Sequence, residues 1–358
     1  MSINEPQLAN LRGFGYTQAE ARFLYLVAAQ AGYFTVRQFL AFTHARSGKR
    51  NARFVEKLFR LGHVSAQRYL RRSLVYHLRS RPLYEAIGKA HLRNRRDHEL
   101  DYIKTRLLAL DYILANPEDR YFETAEEKRR YLIERFKLDD RLFSRSNEHG
   151  KAITFAEGFP LCVAYPAPDY LPVVTFTYVD PEHRNVDRYI AHLRTYQPLF
   201  LQLPSFQFIY ISTAAGLQKE AAELFSFLVE GQGLSDLHRY FDVQTKWERG
   251  KYSLVTEDDM IFRHEAAERF RGQIFDTLFY LWRRKQLPND LRVDSAITRT
   301  AAQKVLFRAV TVPGQEAVFE NSTKRWGDAS QRRGGSGLGS VPKSPPSQSQ
   351  TPHRTADA

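Results

Sequence analysis

Apolar and polar positions alternate in two different rhythms along this chain, and the first is helical. Phe23, Leu24, Val27 and Ala28 recur on one face, the spacing of an amphipathic helix. Thr17-Gln-Ala-Glu20 stands just ahead of them. It has the form of a capping box, in which a hydroxyl and a carboxylate satisfy the first orphan N–H groups of a helix. A helix therefore begins there, and Gly32 stops it. Thr35-Val-Arg-Gln38 is a second box and opens a short helix through about Phe42. After the turn Ser47-Gly48-Lys49, residues Asn51 to Leu61 read as a third helix. Phe54, Leu58, Phe59 and Leu61 are its expected inward positions, and Gly62 stands where a left-handed cap is wanted.

The rhythm then changes. His63 to Arg68 reads as a strand, Tyr69 to Ser73 as a basic turn and Leu74 to Leu78 as a second strand. In the latter, Leu74, Tyr76 and Leu78 alternate with Val75 and His77. Ser80 to Ile87, closed by Gly88, is a short helix. Three helices followed by a two-stranded hairpin is the order of a winged helix-turn-helix. Residues 89–98 lead to a long helix on which Leu100, Ile103, Leu107, Leu110 and Leu114 form a heptad seam. Two heptads fit either a homodimer helix or a helix packed on its own chain. Asn116-Pro117 ends that helix, and Thr124-Ala-Glu-Glu127 opens another that runs to about Phe136.

From Ala152 strands and helices mix. Pro160 to Tyr165 and Val173 to Val179 read as strands, and Asn185 to Leu203 as a helix that Pro198 can break. Phe206 to Ser212 is an apolar run of the kind buried on both faces. Ala214 to Glu230, Ser235 to Arg249 and Thr256 to about Lys285 read as helices. Strand, helix, strand, helix implies a small α/β domain. Beyond Asn321 the chain turns to Gly, Pro, Ser and Gln, a composition that cannot offset the entropy of ordering. The expected fold class is α+β in four parts. Residues 1–92 form a winged helix-turn-helix domain, 93–150 a helical connector, 151–321 an α/β and helical domain, and 322–358 a disordered basic tail.

Charge narrows the partner. The 358 residues carry 53 Lys or Arg against 40 Asp or Glu, a net +13. Residues 45–106 alone hold 17 basic against 5 acidic groups, nearly the whole excess. A local field of that sign attracts polyanions, nucleic acid first among them; a solvated basic surface or a membrane-facing patch is the plain alternative. Lys49, Arg50, Asn51, Arg53, Lys57 and Arg60 surround the third helix, and Arg68, Arg71 and Arg72 surround the hairpin turn. Arg can fork onto guanine and Asn onto adenine, while Lys mostly holds phosphate. These nine residues are the expected contacts to double-stranded DNA.

Other chemistries are near misses. No apolar stretch reaches the roughly 20 residues of a membrane span, Met1 to Pro6 lacks the basic and apolar runs of a secretory signal, and a cytoplasmic protein is expected. The lone cysteine, Cys162, excludes an intramolecular disulfide and an all-cysteine zinc site, and reads as a small buried hydrophobe. His264-Glu265-Ala-Ala-Glu268 lacks the second histidine of a zinc-protease helix. No phosphate-cradling Gly-x-x-x-x-Gly-Lys-Ser/Thr loop is present. Asp169, Asp180 and Glu182 flank the strand at 173–179, but that strand has no acid or lysine to position a metal ion. No catalytic residue, metal or cofactor is expected. A nuclease with a winged-helix targeting domain and a winged-helix protein adaptor remain the alternative functions.

Phe34 to Leu40, Phe54 to Val64 and Val75 to Gly88 carry a further likeness. A helix ending Leu-x-x-x-Gly-hydrophobic, a basic wing, then a strand like Val-Tyr-x-Leu-Thr, with Arg79 in the place of the threonine, and a short helix resemble the opening of replication-relaxation proteins, winged-helix proteins of bacteria and mobile elements. The strand at 173–180 and the helix bearing Tyr189, Leu193 and Tyr196 are similar to the degenerate nuclease core that follows in that family. The likeness spans about residues 10–215. It implies DNA binding in a regulatory role or in plasmid replication and transfer.

Overall fold

Both capping boxes form in the computed structural model, which describes residues 4–46, 48–68, 74–143, 145–146, 152–153, 160–164, 173–181, 186–213, 218–230, 233–287, 291 and 304–312. Thr17 Oγ1 accepts from the Glu20 amide at 3.3 Å, and Glu20 Oε2 accepts from the Thr17 amide at 2.8 Å. The helix they start, α2, spans Gln18–Gln30. Ahead of it lies a helix the periodicity did not show, α1 (Glu5–Gly13). It buries only Leu8 and Leu11, too few positions to set a period. The second box opens α3 (Val36–Phe42), and α4 follows at Lys49–Arg60.

Strands β1 (Tyr33–Phe34), β2 (Val64–Arg68) and β3 (Leu74–Leu78) form an antiparallel sheet in the order β1-β3-β2. The hairpin strands appear as expected, but β3 does not alternate. Val75 to Leu78 are all buried, because β3 is the central strand and both its faces are covered. Phe34 stacks on Tyr76 at 5.2 Å and Tyr33 on His77 at 4.2 Å. His77 Nε2 also meets the Asn94 carbonyl at 3.0 Å. Helix α5 (Arg81–Ala86) closes this unit, with Gln7 and Asn10 of α1 donating to the carbonyls of Ile87 and Ala86.

Helix α6 (Leu100–Ala115) corrects the dimer expectation. Ile103, Leu107 and Leu110 are at most 4% exposed and Leu114 is partly buried. Their face packs on α2, α3 and β1, and α6 also meets the strands at Val173–Asp180 and Ser205–Ser212. Gln38 Nε2 donates to the Leu107 carbonyl at 2.8 Å, and Arg37 Nη2 donates to both carboxylate oxygens of the buried Asp111, at 2.6 and 2.5 Å. The seam Leu100, Ile103, Leu107, Leu110, Leu114 is thus occupied by this chain's own core, and of its five residues only Leu100 stays exposed.

The large sheet contains β4 (Arg120–Tyr121), β7 (Cys162–Ala164), β8 (Val173–Asp180), β9 (Ser205–Ser212) and β10 (Lys304–Thr311), ordered β10-β9-β8-β7-β4. A short pair, β5 (Arg145–Ser146) and β6 (Ala152–Ile153), stands apart from it. Strands β8, β9 and β10 run parallel, with Phe176 opposite Phe208 and Phe208 opposite Phe307. One sheet face, with Cys162, Val179, Ile209 and Ile211, joins the core of α1 to α6. The other, with Phe176, Tyr178, Phe206 and Phe208, joins a second core. Burial on both faces is why Phe206 to Ser212 reads as unbroken apolar sequence. The first core therefore runs continuously from residue 8 into the sheet, across positions 92 and 150.

The second core is covered by α7 (Ala125–Phe136), α8 (Val186–Gln202), α9 (Gln218–Phe225), α10 (Leu234–Glu248), α11 (Glu257–Arg269) and α12 (Gln273–Arg283). Helix α8 passes through Pro198 unbroken. Tyr196, Leu199 and Phe200 are buried around the proline and hold the turn in place. The apolar stretch expected as one helix from Thr256 is two, because Gly272 adopts φ +131°, a conformation only glycine takes without strain. The buried Glu220 carboxylate accepts from the Ile274 amide at 2.5 Å and caps α12 there. Burial raises the Glu220 pKa, although those backbone amides oppose the shift.

Candidate nucleic-acid interface

The third helix has two faces of opposite chemistry. Phe54 and Leu58 are fully buried, and Phe54 stacks on Phe39 with centroids 4.0 Å apart. Lys49, Arg53, Glu56 and Arg60 are exposed in one stripe at i, i+4, i+7 and i+11. Three of those four side chains are cations, with Glu56 among them. Arg68 is exposed at the outer end of β2, the strand that runs back from α4. Arg50 lies within α4; Arg71 and Arg72, the expected wing contacts, lie outside the described residues.

Two expected DNA contacts, Lys57 and Asn51, have partners within the chain. Lys57 Nζ donates to Glu20 Oε2 at 2.7 Å and to the Gly15 carbonyl at 2.9 Å, and sits 5.2 Å from the centre of the Tyr16 ring. Its side chain is 19% exposed and that of Glu20 7%. Lys57 is thus a strut between α4 and the start of α2. Asn51 turns back on its own helix: its Oδ1 accepts from the Gly48 amide at 2.7 Å, satisfying a backbone group at the helix start. A third expectation, that Phe59 faces inward, is also corrected. Phe59 is 48% exposed and meets Tyr76 edge-on at 6.1 Å. It falls about 100° round the helix from the buried stripe.

Beneath α4, the Tyr16 hydroxyl and His63 Nδ1 share a hydrogen bond at 2.8 Å. Burial lowers the His63 pKa and so favours a neutral ring beside the basic helix. Burial, then the Glu20 charge, pushes the Tyr16 hydroxyl up.

Of the three acids weighed for nuclease chemistry, Asp180 alone is among the described residues. Asp169 and Glu182 lie outside the described residues. Asp180 ends β8 and accepts from the Tyr210 hydroxyl. His264, Glu265 and Glu268 are exposed on α11. Among the described residues no group of three His, Cys, Asp or Glu is arranged to hold a metal ion. Cys162 is fully buried, 3.9 Å from Asp119 Oδ2, and burial pushes its thiol up to about 12, which leaves it protonated and unreactive.

Among the described residues no helix is long and apolar enough to cross a membrane. No family model, no curated protein and no solved structure matches this chain.

Proposed function

We propose that the N-terminal unit is a winged helix-turn-helix that binds duplex DNA, with α4 in the major groove and the β2–β3 hairpin as the wing. The observation that carries this reading is the split face of α4: Phe54 and Leu58 inward, Lys49, Arg53 and Arg60 outward. A recognition helix needs that division, one side fixed to a scaffold and the other free for base edges and phosphates. Arg53, in the first half of α4, is the base reader in this reading. Lys49, Arg60 and Arg68 hold phosphate. The basic excess of residues 45–106 supports it, and so do the motifs similar to replication-relaxation proteins. The role is regulatory or replication-linked, in the bacterial cytoplasm.

The test is fluorescence anisotropy of a labelled duplex with the wild-type chain and with Lys49→Ala/Arg53→Ala/Arg60→Ala. The triple variant is expected to bind about 100-fold more weakly, at roughly 1–3 kcal/mol for a base-reading arginine plus the lost phosphate contacts. Equal binding by the two proteins would reject the interface.

A second reading has an observation of its own. Phe59 and Leu74 are 48% and 39% exposed beside the hairpin, as on a winged helix that docks onto protein. In that case Phe59→Ser abolishes association with the partner and leaves duplex binding as it was.

A further inference from the structure

Helix α4 carries one acid on its basic outer face. Glu56 is exposed, as are Arg53 three residues before it and Arg60 four residues after it. Those are the spacings at which a carboxylate and a guanidinium pair on a helix. Among the described residues the Glu56 carboxylate nevertheless makes no ion pair and no hydrogen bond. The buried acids of the same core are neutralised, Glu20 by Lys57 at 2.7 Å and Asp111 by Arg37 at 2.5 Å. Ala52, one turn ahead of Glu56, is exposed and small, so it leaves the carboxylate uncovered.

An acid in this place opposes plain phosphate binding, because the backbone that attracts Lys49 and Arg60 repels it. In the major groove a carboxylate can accept only from the exocyclic amines, cytosine N4 and adenine N6. On adenine the N7 acceptor stands beside N6 and repels the second carboxylate oxygen. Cytosine presents its amine with no acceptor on that edge, so cytosine is the base that suits a carboxylate. Arg53, with two donors in a fork, suits guanine O6 and N7. Three residues advance about 4.5 Å along a helix, and stacked base pairs stand about 3.4 Å apart. The two side chains therefore fall at the spacing of neighbouring base pairs.

We propose that Glu56 is a specificity residue, which selects cytosine next to the guanine read by Arg53. The inference rests on the reading of α4 as a recognition helix and goes beyond it by naming the bases. Through its charge Glu56 weakens binding to duplex at large, and the N4 amine recovers that loss at the right site alone. The acid thus trades affinity for discrimination.

The experiment is selection of sites from a randomised duplex pool by the full chain, followed by titration of the selected duplex and its single-base variants. Wild type should select cytosine at one position beside a guanine, and replacing that cytosine should weaken binding about tenfold. Glu56→Ala should lose that penalty, keep the guanine, and bind unrelated duplex at least as tightly as wild type. Glu56→Gln should move the preference from cytosine to adenine, because an amide both donates to N7 and accepts from N6. Misfolding does not produce such a change of base. A wild type that selects no cytosine there, a cytosine preference kept by Glu56→Ala, or equal weakening of that variant on every duplex would overturn the inference. Where Lys49→Ala/Arg53→Ala/Arg60→Ala loses binding in the same assay, such a result removes Glu56 alone and leaves α4 on the DNA. A wild type that binds no duplex ends both.

Discussion

Lys57 Nζ lies 2.7 Å from Glu20 Oε2, so the carboxylate that starts α2 also fixes the tilt of α4. Removing the ammonium leaves a nearly buried carboxylate with one partner fewer, at a cost of about 1–3 kcal/mol. Lys57→Met should therefore lower stability by that amount in urea denaturation. Duplex affinity of the folded variant should stay within about twofold of wild type, since Lys57 faces inward. A variant of full stability and weakened DNA binding would return Lys57 to the interface.

The seam of α6 yields a prediction about assembly. Leu107 and Leu110 are 1% and 0% exposed against the chain's own core. Each change to Ala should cost roughly 2–5 kcal/mol through lost burial and a residual cavity. Sedimentation of the Leu107→Ala variant should show the same oligomeric state as wild type, with the loss appearing only in the unfolding midpoint. A shift from dimer to stable monomer would contradict the packing.

How far these features could be read in the chain depended on whether their cause was local. The bounds of β3 and α7 appear as read, and the capping boxes form, because caps and periods act within a few residues. The destination of an apolar face is not local, so the spacing of the α6 seam also admits a second copy. Strand β10 was hidden because it is an edge strand with Leu306 58% exposed and Arg308 exposed. The inward turn of Lys57 has a signal in the spacing of the helix. Phe54, Lys57, Leu58 and Leu61 are the i, i+3, i+4 and i+7 positions of one face, so Lys57 shares the buried stripe. Gly48-x-x-Asn51 likewise has the spacing by which Asn51 caps its own helix.

Gly272 has no room for a side chain. A Cβ there would fall 2.2 Å from Glu220 Oε1, at a φ that disfavours any other residue. Gly272→Ala should cost well over about 1 kcal/mol and separate α12 from Glu220. Hydrogen exchange should then show the first amides of α12 losing protection before the rest of the helix. An alanine variant as stable as wild type would contradict the cap.

Acid should weaken the fold through His192. Its ring is buried against Tyr178 and Tyr196, and burial, then the Arg188 charge, pulls its pKa down to about 3. The unfolded chain binds a proton at about pH 6.5 that the folded chain refuses. The stability owed to the neutral ring is thus complete above pH 6.5 and is lost as pH falls toward 3. The slope is about 1.4 kcal/mol per unit for this one group. Burial lowers His63 and His77 too, and they act in the same direction. His192→Gln should flatten the fall of the urea midpoint between those limits; an unchanged slope would show that His192 does not control it.

If the outer face of α4 lies on duplex DNA, as proposed, binding must weaken steeply as salt rises. Each neutralised phosphate releases counterion and contributes about −0.9 to the slope of log K against log salt. The full chain should show a steep slope, and Lys49→Ala/Arg60→Ala one shallower by about 1.8. A flat dependence in wild type, or the same slope in the variant, would contradict the account.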